Sequence, residues 1–345
     1  MSLYLDAARC QPTSRPPIWI MRQAGRYLPE YRAFREKYGF LEMIRTPEIA
    51  AEITLQPIRR FGFDAAILFS DILTVADALG SDLKFVEGKG PVISNPIRTM
   101  ADADQLSSST LREQLDYVPQ AIRLLKPQLG DTPLIGFAGA PFTVASYMVE
   151  GGSSKDLRRM KELIYSQPDT MERLIDQLVK ATADYLNMQI EAGVDAIQIF
   201  DTWAGLLSYP EFQSLVIRPI RAILNRLRNP AGIPITLFAK GPSVFWKELS
   251  QLPVQVIGLD WQVDIGAMGQ LIPADIALQG NMDPMMLYAS PEILEAKVTH
   301  ILRSMADRPG YIFNLGHGIL PDVNPDQVQR VVQLVQQFEN ERIHA

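Results

Sequence analysis

The segment from Trp19 to Arg32, W-I-M-R-Q-A-G-R-Y-L-P-E-Y-R, concentrates side chains that bind anions. Gly25 gives the backbone freedom to turn between Arg22 and Arg26. Residues 1–37 hold seven Lys or Arg and three Asp or Glu, whereas the whole chain carries a formal net charge of −6. Because a guanidinium pairs with a carboxylate or phosphate through two parallel hydrogen bonds, the segment predicts a ligand with several acidic groups. The alternative is that these arginines are surface residues whose stems cover apolar area.

Polar or ionisable residues follow nearly every short apolar run of the chain. In chain order they are Arg22, Arg26, Ser70, Asp71, Gly139 to Thr143, Asp201, Thr202, Lys240, Asp260, Asn281, Asp283 and His317. In a parallel barrel, catalytic groups stand where the strands end. The recurrence of polar residues after successive strands therefore favours an enzyme over an inert scaffold.

Some of these residues allow more than one chemistry. Lys240, in F-A-K-G, could form a Schiff base, but an ion pair with Asp201 or Asp260 is the preferred interpretation. A metal site is not predicted, because Asp71, Asp201, Asp260 and His317 lack the close spacing of a metal motif. His317 lies between two glycines and is expected to be reachable by a ligand, with a structural role as the alternative.

Composition and motifs exclude several other functions. G-F-A-G-A-P (136–141) lacks the G-x-G-x-x-G spacing of a dinucleotide fingerprint, and no G-x-x-x-x-G-K-[ST] occurs. One cysteine and three histidines cannot build a disulfide framework or a cysteine-rich zinc site. The acidic pI of about 5.3 argues against nucleic-acid binding. No signal peptide or membrane helix is predicted, so a cytoplasmic protein is expected.

Eight apolar runs alternate with long amphipathic segments, which predicts parallel strands covered by helices. The runs are 18–21, 65–69, 134–138, 196–200, 235–238, 256–259, 276–278 and 311–315. Eight such units favour an α/β fold in which residues 1–345 form a single (β/α)8 TIM-type barrel.

Local signals place the main helices and two insertions. Helices are predicted over 46–61, 168–192, 210–228, 291–305 and 326–341 from proline or capping residues at their starts and glycine or basic residues at their ends. Residues 82–94 predict a small inserted β-hairpin that turns at 88–90. Residues 147–156 form a Gly/Ser-rich stretch of the kind that makes a mobile lid over a barrel mouth. For both segments a plain loop is the alternative.

Five segments of the chain together resemble the uroporphyrinogen decarboxylase family. They are the arginine-rich segment 19–32, F-S-D-I-L (69–73), G-F-A-G-A-P-F-T (136–143), F-D-T-W-A-G (200–205) and F-N-L-G-H-G (313–318). They occur in the family's order and span nearly the full chain. The resemblance implies a (β/α)8 barrel that forms a homodimer and uses no metal or organic cofactor. The implied reaction removes CO2 from the four acetate side chains of uroporphyrinogen III and gives coproporphyrinogen III.

The resemblance also assigns residues. The implied catalytic residues are Asp71, Arg22 and Tyr147, and the implied substrate-binding residues are Arg22, Gln23, Ala24, Gly25, Arg26, Asp71, Tyr147, Thr202 and His317. Thr202 stands where relatives often have serine, so the hydroxyl is retained. A carboxylate at the centre of the macrocycle, with Asp71 as the candidate, would accept hydrogen bonds from pyrrole N–H groups and stabilise a developing cation.

Two alternatives belong to other classes. A cobamide-dependent methyltransferase shares the implied fold but needs a zinc site built with cysteine and histidine, for which Cys10 alone is insufficient. A non-catalytic tetrapyrrole carrier would use the same arginines, and turnover distinguishes it from an enzyme.

Overall fold

A computed structural model describes residues 2–229, 231–241 and 243–338. In chain order its strands are β1 Ala66–Ile67, β2 Leu83–Val86, β3 Gly90–Ile93, β4 Leu134–Gly139, β5 Ala196–Asp201, β6 Ile235–Ala239, β7 Val256–Gly258, β8 Ala277–Met282 and β9 Tyr311–Leu315. Seven of them form one parallel curled sheet in the order β1-β4-β5-β6-β7-β8-β9. Each of these seven strands is buried along its length, as expected for strands covered by helices. The predicted barrel class is confirmed.

The first predicted strand, 18–21, does not form a regular strand, although it occupies the expected place in the barrel, between β9 and β1. It makes only an isolated parallel bridge, between Ile18 and Phe313. The Phe313 N–H donates to the carbonyl of Pro17 at 2.8 Å, and the Asp64 N–H donates to the carbonyl of Ile18 at 2.9 Å. Residues 18–21 therefore close the ring between β9 and β1 without entering a regular ladder; we call them the closing segment.

Side-chain amides replace the missing ladder bonds. The Ile20 N–H donates to the Gln23 side-chain oxygen at 3.0 Å, and the Met21 N–H donates to the Asn314 side-chain oxygen at 2.9 Å. The Gln23 amide nitrogen in turn donates to the carbonyl of Ala65 at 3.1 Å. Because these donors are occupied by side chains, the backbone cannot continue as a paired strand.

In chain order the α-helices are α1 Leu3–Ala8, α2 Pro29–Arg35, α3 Phe40–Arg45, α4 Pro47–Phe61, α5 Thr74–Ala78, α6 Met100–Asp104, α7 Leu111–Gln114, α8 Tyr117–Leu129, α9 Pro141–Glu150, α10 Arg158–Ser166, α11 Pro168–Ala192, α12 Tyr209–Phe212, α13 Arg218–Leu224, α14 Trp246–Ser250, α15 Ile265–Leu271, α16 Pro291–Met305 and α17 Pro325–Gln337. Within the described residues, no helix combines the length and the apolar character needed to cross a bilayer.

Most helix predictions are confirmed. α4 ends at Gly62 with φ 66°, and α11 ends at Gly193 with φ 101°, a left-handed conformation that glycine adopts without strain. The helix predicted over 210–228 is instead α12, a π-helical turn Gln213–Ile217 and α13. The helix predicted to end at 341 ends at Gln337, and residues 339–341 lie outside the described residues.

The inserted hairpin is confirmed, whereas the stretch interpreted as a lid or loop is helical in its first part. β2 and β3 pair antiparallel. The first four residues of the predicted lid complete α9, and Gly152 then forms an antiparallel bridge with Val92. The Ile93 N–H also donates to the carbonyl of Gly151 at 3.0 Å. The hairpin therefore holds this stretch through backbone hydrogen bonds.

The amino-terminal end of the barrel is closed by α1. Tyr4, Ala7 and Ala8 are buried among the side chains of the barrel interior. After α1, Cys10 lies against Gly310, just before β9, where an added Cβ would stand 2.6 Å from the Cys10 sulfur. With this end filled, a ligand can enter the barrel only from the other end.

Candidate active site

The candidate active site lies at the carboxyl-terminal mouth of the barrel, where the parallel strands end. Arg22 follows the closing segment, Asp71 follows β1, Thr202 directly follows β5, Lys240 directly follows β6 and His317 follows β9. Tyr147 is added from α9, the helix after β4. The fold thus brings together residues that are far apart in the chain.

Arg22 is positioned by unusual backbone and by a glycine. Its φ is 67°, in the left-handed region that non-glycine residues rarely adopt. Its side chain lies directly on Gly318, where an added Cβ would stand 2.3 Å from the Arg22 Cδ. Gly25 is constrained too, since a Cβ there would stand 2.9 Å from the Arg22 carbonyl oxygen. The arginine is exposed, and this packing fixes its direction.

The neighbours of Arg22 divide into framework and ligand-facing groups. Gln23 is fully buried, and its side chain is occupied by the Ile20 and Ala65 hydrogen bonds described above. Its carbonyl accepts a hydrogen bond from the Tyr27 hydroxyl at 2.9 Å. Ala24 and Gly25 are half-buried, and the Arg26 side chain is exposed. Of this segment, the Arg22 and Arg26 guanidinium groups are therefore the charged groups open to a ligand.

Asp71 is a half-buried carboxylate beside Arg22. Its Oδ1 accepts a hydrogen bond from the Leu73 N–H at 2.8 Å. Burial raises the pKa of Asp71, while the Leu73 N–H and the positive charge of Arg22 act against that rise. Both opposing groups favour the ionised carboxylate.

Tyr147 faces the same space. Its ring packs edge-on against Trp203, with centroids 6.1 Å apart. Burial raises the pKa of Tyr147, and the Asp71 charge raises it further while the Arg22 charge lowers it. Because Asp71 and Arg22 both influence this hydroxyl, the three side chains share one site, and Tyr147 holds its proton at neutral pH.

His317 is half-buried on the β9 side of the mouth. Its ring contacts Phe238 and Trp261, with centroid distances of 6.2 Å and 6.5 Å. Burial, then the positive charges of Arg22 and Lys240, lower the pKa of His317 to about 3. The imidazole is therefore neutral at pH 7 and offers one hydrogen-bond donor and one acceptor.

Other residues at the strand ends serve the framework. The Asp260 carboxylate accepts hydrogen bonds from the backbone N–H groups of Gly241 and Gln262. The Asn281 amide donates to the carbonyl of Asp260 at 2.8 Å. Asp283 caps the 3-10 helix that follows β8 by accepting from the Met285 N–H at 2.9 Å.

Asp201 lies beneath the mouth and is fully buried. Its Oδ1 accepts a hydrogen bond from the Thr143 hydroxyl at 2.5 Å, and the Thr143 oxygen accepts one from the backbone N–H of Trp203 at 3.1 Å. Burial raises the pKa of Asp201 to about 7, although the hydrogen bonds from Thr143 lower it. The adjacent Thr202 is half-buried at the mouth.

The preferred interpretation of Lys240, an ion pair with Asp201 or Asp260, was wrong. No ion pair of Lys240 exists within the described part of the chain, and its ammonium lies 5.4 Å from the centroid of the Trp261 ring. The two acids have other partners: Asp260 accepts hydrogen bonds from backbone amides, and Asp201 is buried against Thr143. Over residues 2–229, 231–241 and 243–338, no group of three or more His, Cys, Asp or Glu is arranged to hold a metal ion.

The sequence reasoning missed two aromatic walls of the site, Trp203 and Trp261. The signal was present, since both indole side chains follow closely after an aspartate at a strand end, in F-D-T-W and L-D-W. Together with Tyr147 and His317 they give the mouth flat apolar surfaces between its charged groups. Such a surface suits a ligand with aromatic rings and acidic side chains.

Comparisons with known proteins agree on one family. The family model described as Uroporphyrinogen decarboxylase (URO-D) matches residues 1–338. Uroporphyrinogen decarboxylase of Magnetococcus marinus is 46% identical over 99% of this chain and 97% of its own length. The protein of that name from Chloroflexus aurantiacus is 47% identical over 97% of this chain and 95% of its own. Among solved structures, a methyltransferase from Methanosarcina mazei superposes with a TM-score of 0.83 over 98% of this chain and 99% of its own, at 19% identity, a likeness of fold alone.

Proposed function

Because this chain belongs to the uroporphyrinogen decarboxylase family, we propose that the side chains at its barrel mouth carry out that decarboxylation, with Asp71 as the central catalytic group. The chain is a carboxy-lyase of tetrapyrrole biosynthesis: it converts the acetate side chains of uroporphyrinogen to methyl groups and releases CO2. The catalytic proposal rests mainly on one observation: the half-buried Asp71 carboxylate lies beside Arg22, whose exposed side chain is fixed by packing on Gly318.

The reaction needs a stabilised cation. Protonation of the pyrrole α-carbon next to the carbon that bears the acetate gives an iminium-like ring, and loss of CO2 returns the electron pair of the broken bond to that ring by forming an exocyclic methylene. The methylene carbon then takes a proton to become a methyl group, so each acetate consumes one proton overall once the ring proton is released. An ionised Asp71 beneath the pyrrole N–H groups would stabilise the cation without reorganisation, since its position is already fixed by the Leu73 N–H.

Arg22 and Arg26 are proposed to bind carboxylates. Arg22 lies close enough to Asp71, Tyr147 and His317 to alter the pKa of each, so a carboxylate on Arg22 would lie beside the reacting ring. A guanidinium has a pKa above about 12 and is a poor acid, so we assign Arg22 to orienting the acetate or a water molecule. Arg26 is exposed and is assigned to substrate binding alone.

The remaining site residues complete a binding surface. Tyr147 and neutral His317 are proposed to hydrogen-bond the substrate, Thr202 to supply a hydroxyl and residues 23–25 to line the approach with backbone. We propose that these side chains suffice without a metal or organic cofactor, because the pyrrole itself accepts the electrons. We further propose that residues 1–345 form one catalytic domain that acts as a cytoplasmic homodimer, which sedimentation at several protein concentrations would test.

The deciding experiment is anaerobic incubation of metal-stripped protein with uroporphyrinogen III, followed by oxidation and chromatography of the porphyrins. Stepwise appearance of porphyrins with seven to four carboxylates, without an added cofactor, would support the proposal. Bound but unchanged octacarboxylate would contradict it and favour a tetrapyrrole carrier. The methyltransferase alternative is supported only by a likeness of fold to a protein that is 19% identical, and such a likeness says nothing about the activity of this chain.

A further inference from the structure

Lys240 stands across the mouth from the two arginines. Around the ring, the order is the closing segment, β1, β4, β5, β6, β7, β8 and β9. Arg22 follows the closing segment and Lys240 follows β6, which is four positions away in a ring of eight. The two cations therefore lie on opposite sides of the mouth, while Asp71 lies next to Arg22.

The charge of Lys240 is not neutralised by the protein it contacts. Lys240 is half-buried, and the ten ion pairs found among the described residues do not include it. Its ammonium is held over the face of Trp261, an interaction that positions a cation without cancelling its charge. Neither neighbouring strand-end acid forms an ion pair with it: Asp260 accepts two backbone hydrogen bonds, and Asp201 is buried against Thr143.

The ammonium also faces the candidate active site. The positive charge of Lys240 lowers the pKa of His317, and the charge of Arg22 does the same. Because His317 contacts Trp261, the ring over which the ammonium lies, Lys240 and His317 border the same space. A ligand that reaches from Arg22 to Lys240 therefore passes over His317.

We propose that Lys240 binds a carboxylate of the substrate on the side of the macrocycle away from Arg22 and Arg26. This inference rests on the proposed function, and it follows from the shape of the substrate. Eight carboxylates surround the macrocycle, so cations on one side of the mouth leave the acidic groups of the opposite side without a partner. Since Arg22, the residue proposed to orient the reacting acetate, lies on the opposite side, the carboxylate on Lys240 belongs to a ring that is not reacting.

According to this proposal, Lys240 binds the substrate equally strongly in the ground state and in the transition state. Its loss should raise KM and leave kcat nearly unchanged. A charge-assisted hydrogen bond of ordinary strength predicts about a tenfold to a hundredfold increase in KM for Lys240→Ala. Lys240→Arg should stay within about threefold of the wild type, since a guanidinium keeps the charge and also binds carboxylates.

A matched control exists on α14. The Lys247 ammonium lies 5.7 Å from the centroid of the Trp246 ring, a similar contact, but Lys247 is exposed and is not assigned to the site. Lys247→Ala removes the same charge from a lysine that also lies over a tryptophan ring but outside the site, so it should leave both KM and kcat unchanged. A KM increase in both alanine variants would overturn the proposal, because it would show only a general effect of net charge.

The experiment measures KM and kcat with uroporphyrinogen for the wild type and the three variants, and dissociation constants for oxidised uroporphyrin by fluorescence titration. An unchanged KM in Lys240→Ala, or an Arg variant that is as weak as the Ala variant while melting normally, would overturn the proposal. The Arg variant also cannot form a Schiff base, so its activity separates carboxylate binding from covalent chemistry. If the wild type binds uroporphyrin but does not convert uroporphyrinogen, the proposed function fails while the dissociation constants still decide the role of Lys240.

Discussion

The two ends of the barrel use arginine in opposite ways. At the amino-terminal end, Arg15 makes two parallel hydrogen bonds to the Asp64 carboxylate, at 2.7 Å and 2.8 Å. Arg308 donates to four backbone carbonyls of the segment before β8, those of Gly269, Ile272, Pro273 and Ile276. At the mouth, the guanidinium groups of Arg22 and Arg26 make no hydrogen bond or ion pair with any residue that the structure describes. The difference separates arginines that hold the fold from arginines that await an anionic ligand.

The carboxylates follow the same division. Asp64 accepts from Arg15 and also from the Ile18 N–H at 2.8 Å, so it joins the closing segment to the start of β1. Asp71 has the single Leu73 N–H and the nearby Arg22 charge. The charge of Asp64 is neutralised by its ion pair with Arg15, whereas Asp71 has unused acceptor capacity for pyrrole N–H groups.

The largest expected effect is on catalysis at Asp71. Asp71→Asn should lower kcat by at least roughly a hundredfold, by analogy with the loss of one pre-aimed electrostatic partner. The fold should persist, because the amide oxygen can still accept from the Leu73 N–H. Anaerobic turnover and a thermal melt test both statements. Near-normal turnover in this variant would remove Asp71 from the centre of the mechanism.

The next largest effect on activity is expected from Gly318, the glycine against which the Arg22 side chain packs. Gly318→Ala would place a Cβ within 2.3 Å of the Arg22 Cδ and displace the arginine. A shift of about 1 Å in a positioning group can cost about a hundredfold in rate, and we expect a loss of this order in kcat/KM. Gly130→Ala is the control, since it replaces a glycine that is not part of the site. Nothing lies within 4 Å of a Cβ added at Gly130, and its φ of 55° makes the substitution locally strained. Equal activity losses in both variants would show that the position of Arg22 is not the cause.

Arg308→Ala should show the reverse pattern at the amino-terminal end. Four hydrogen bonds to carbonyls are lost, and at about 0.5 to 1.5 kcal/mol each the free energy of unfolding should fall by about 2 to 4 kcal/mol, since some carbonyls regain water. Values of kcat and KM measured well below the melting temperature should be unchanged. A variant that keeps its stability but loses activity would break the distinction between the two ends.

The smallest expected effect is a pH dependence of stability from Asp201. The folded state retains the Asp201 proton up to about pH 7, whereas the unfolded chain loses it near its ordinary value of 3.8. Between these two values, a rise in pH therefore favours the unfolded state, and above pH 7 the penalty stays constant. Asp201→Asn should gain a few °C in melting temperature relative to the wild type as pH rises from about 4 to 7. A difference between the two proteins that does not change with pH would show that Asp201 does not titrate in this window.

Local sequence signals determined much of the fold. Apolar runs placed the seven strands of the sheet, and prolines at helix starts and glycines at positive φ placed α4 and α11 to the residue. The hairpin was also predictable, because its glycines and flanking apolar residues are close in the chain. These features depend on interactions over a few residues, which periodicity and turn chemistry report directly.

Two features depended on the tertiary structure alone: whether the closing segment pairs as a strand, and which charged residues form ion pairs. Whether 18–21 forms a ladder depends on the amide of Asn314, 293 residues away from Met21, which takes the backbone donor. Whether Lys240 has an ion pair depends on backbone amides that already occupy Asp260 and on the Trp261 ring that holds its ammonium. The sequence determines which charges the chain carries and roughly where its strands end. Only the folded barrel determines which charges remain unpaired, because deciding partners such as Gly241 for Asp260 and Thr143 for Asp201 follow other strands.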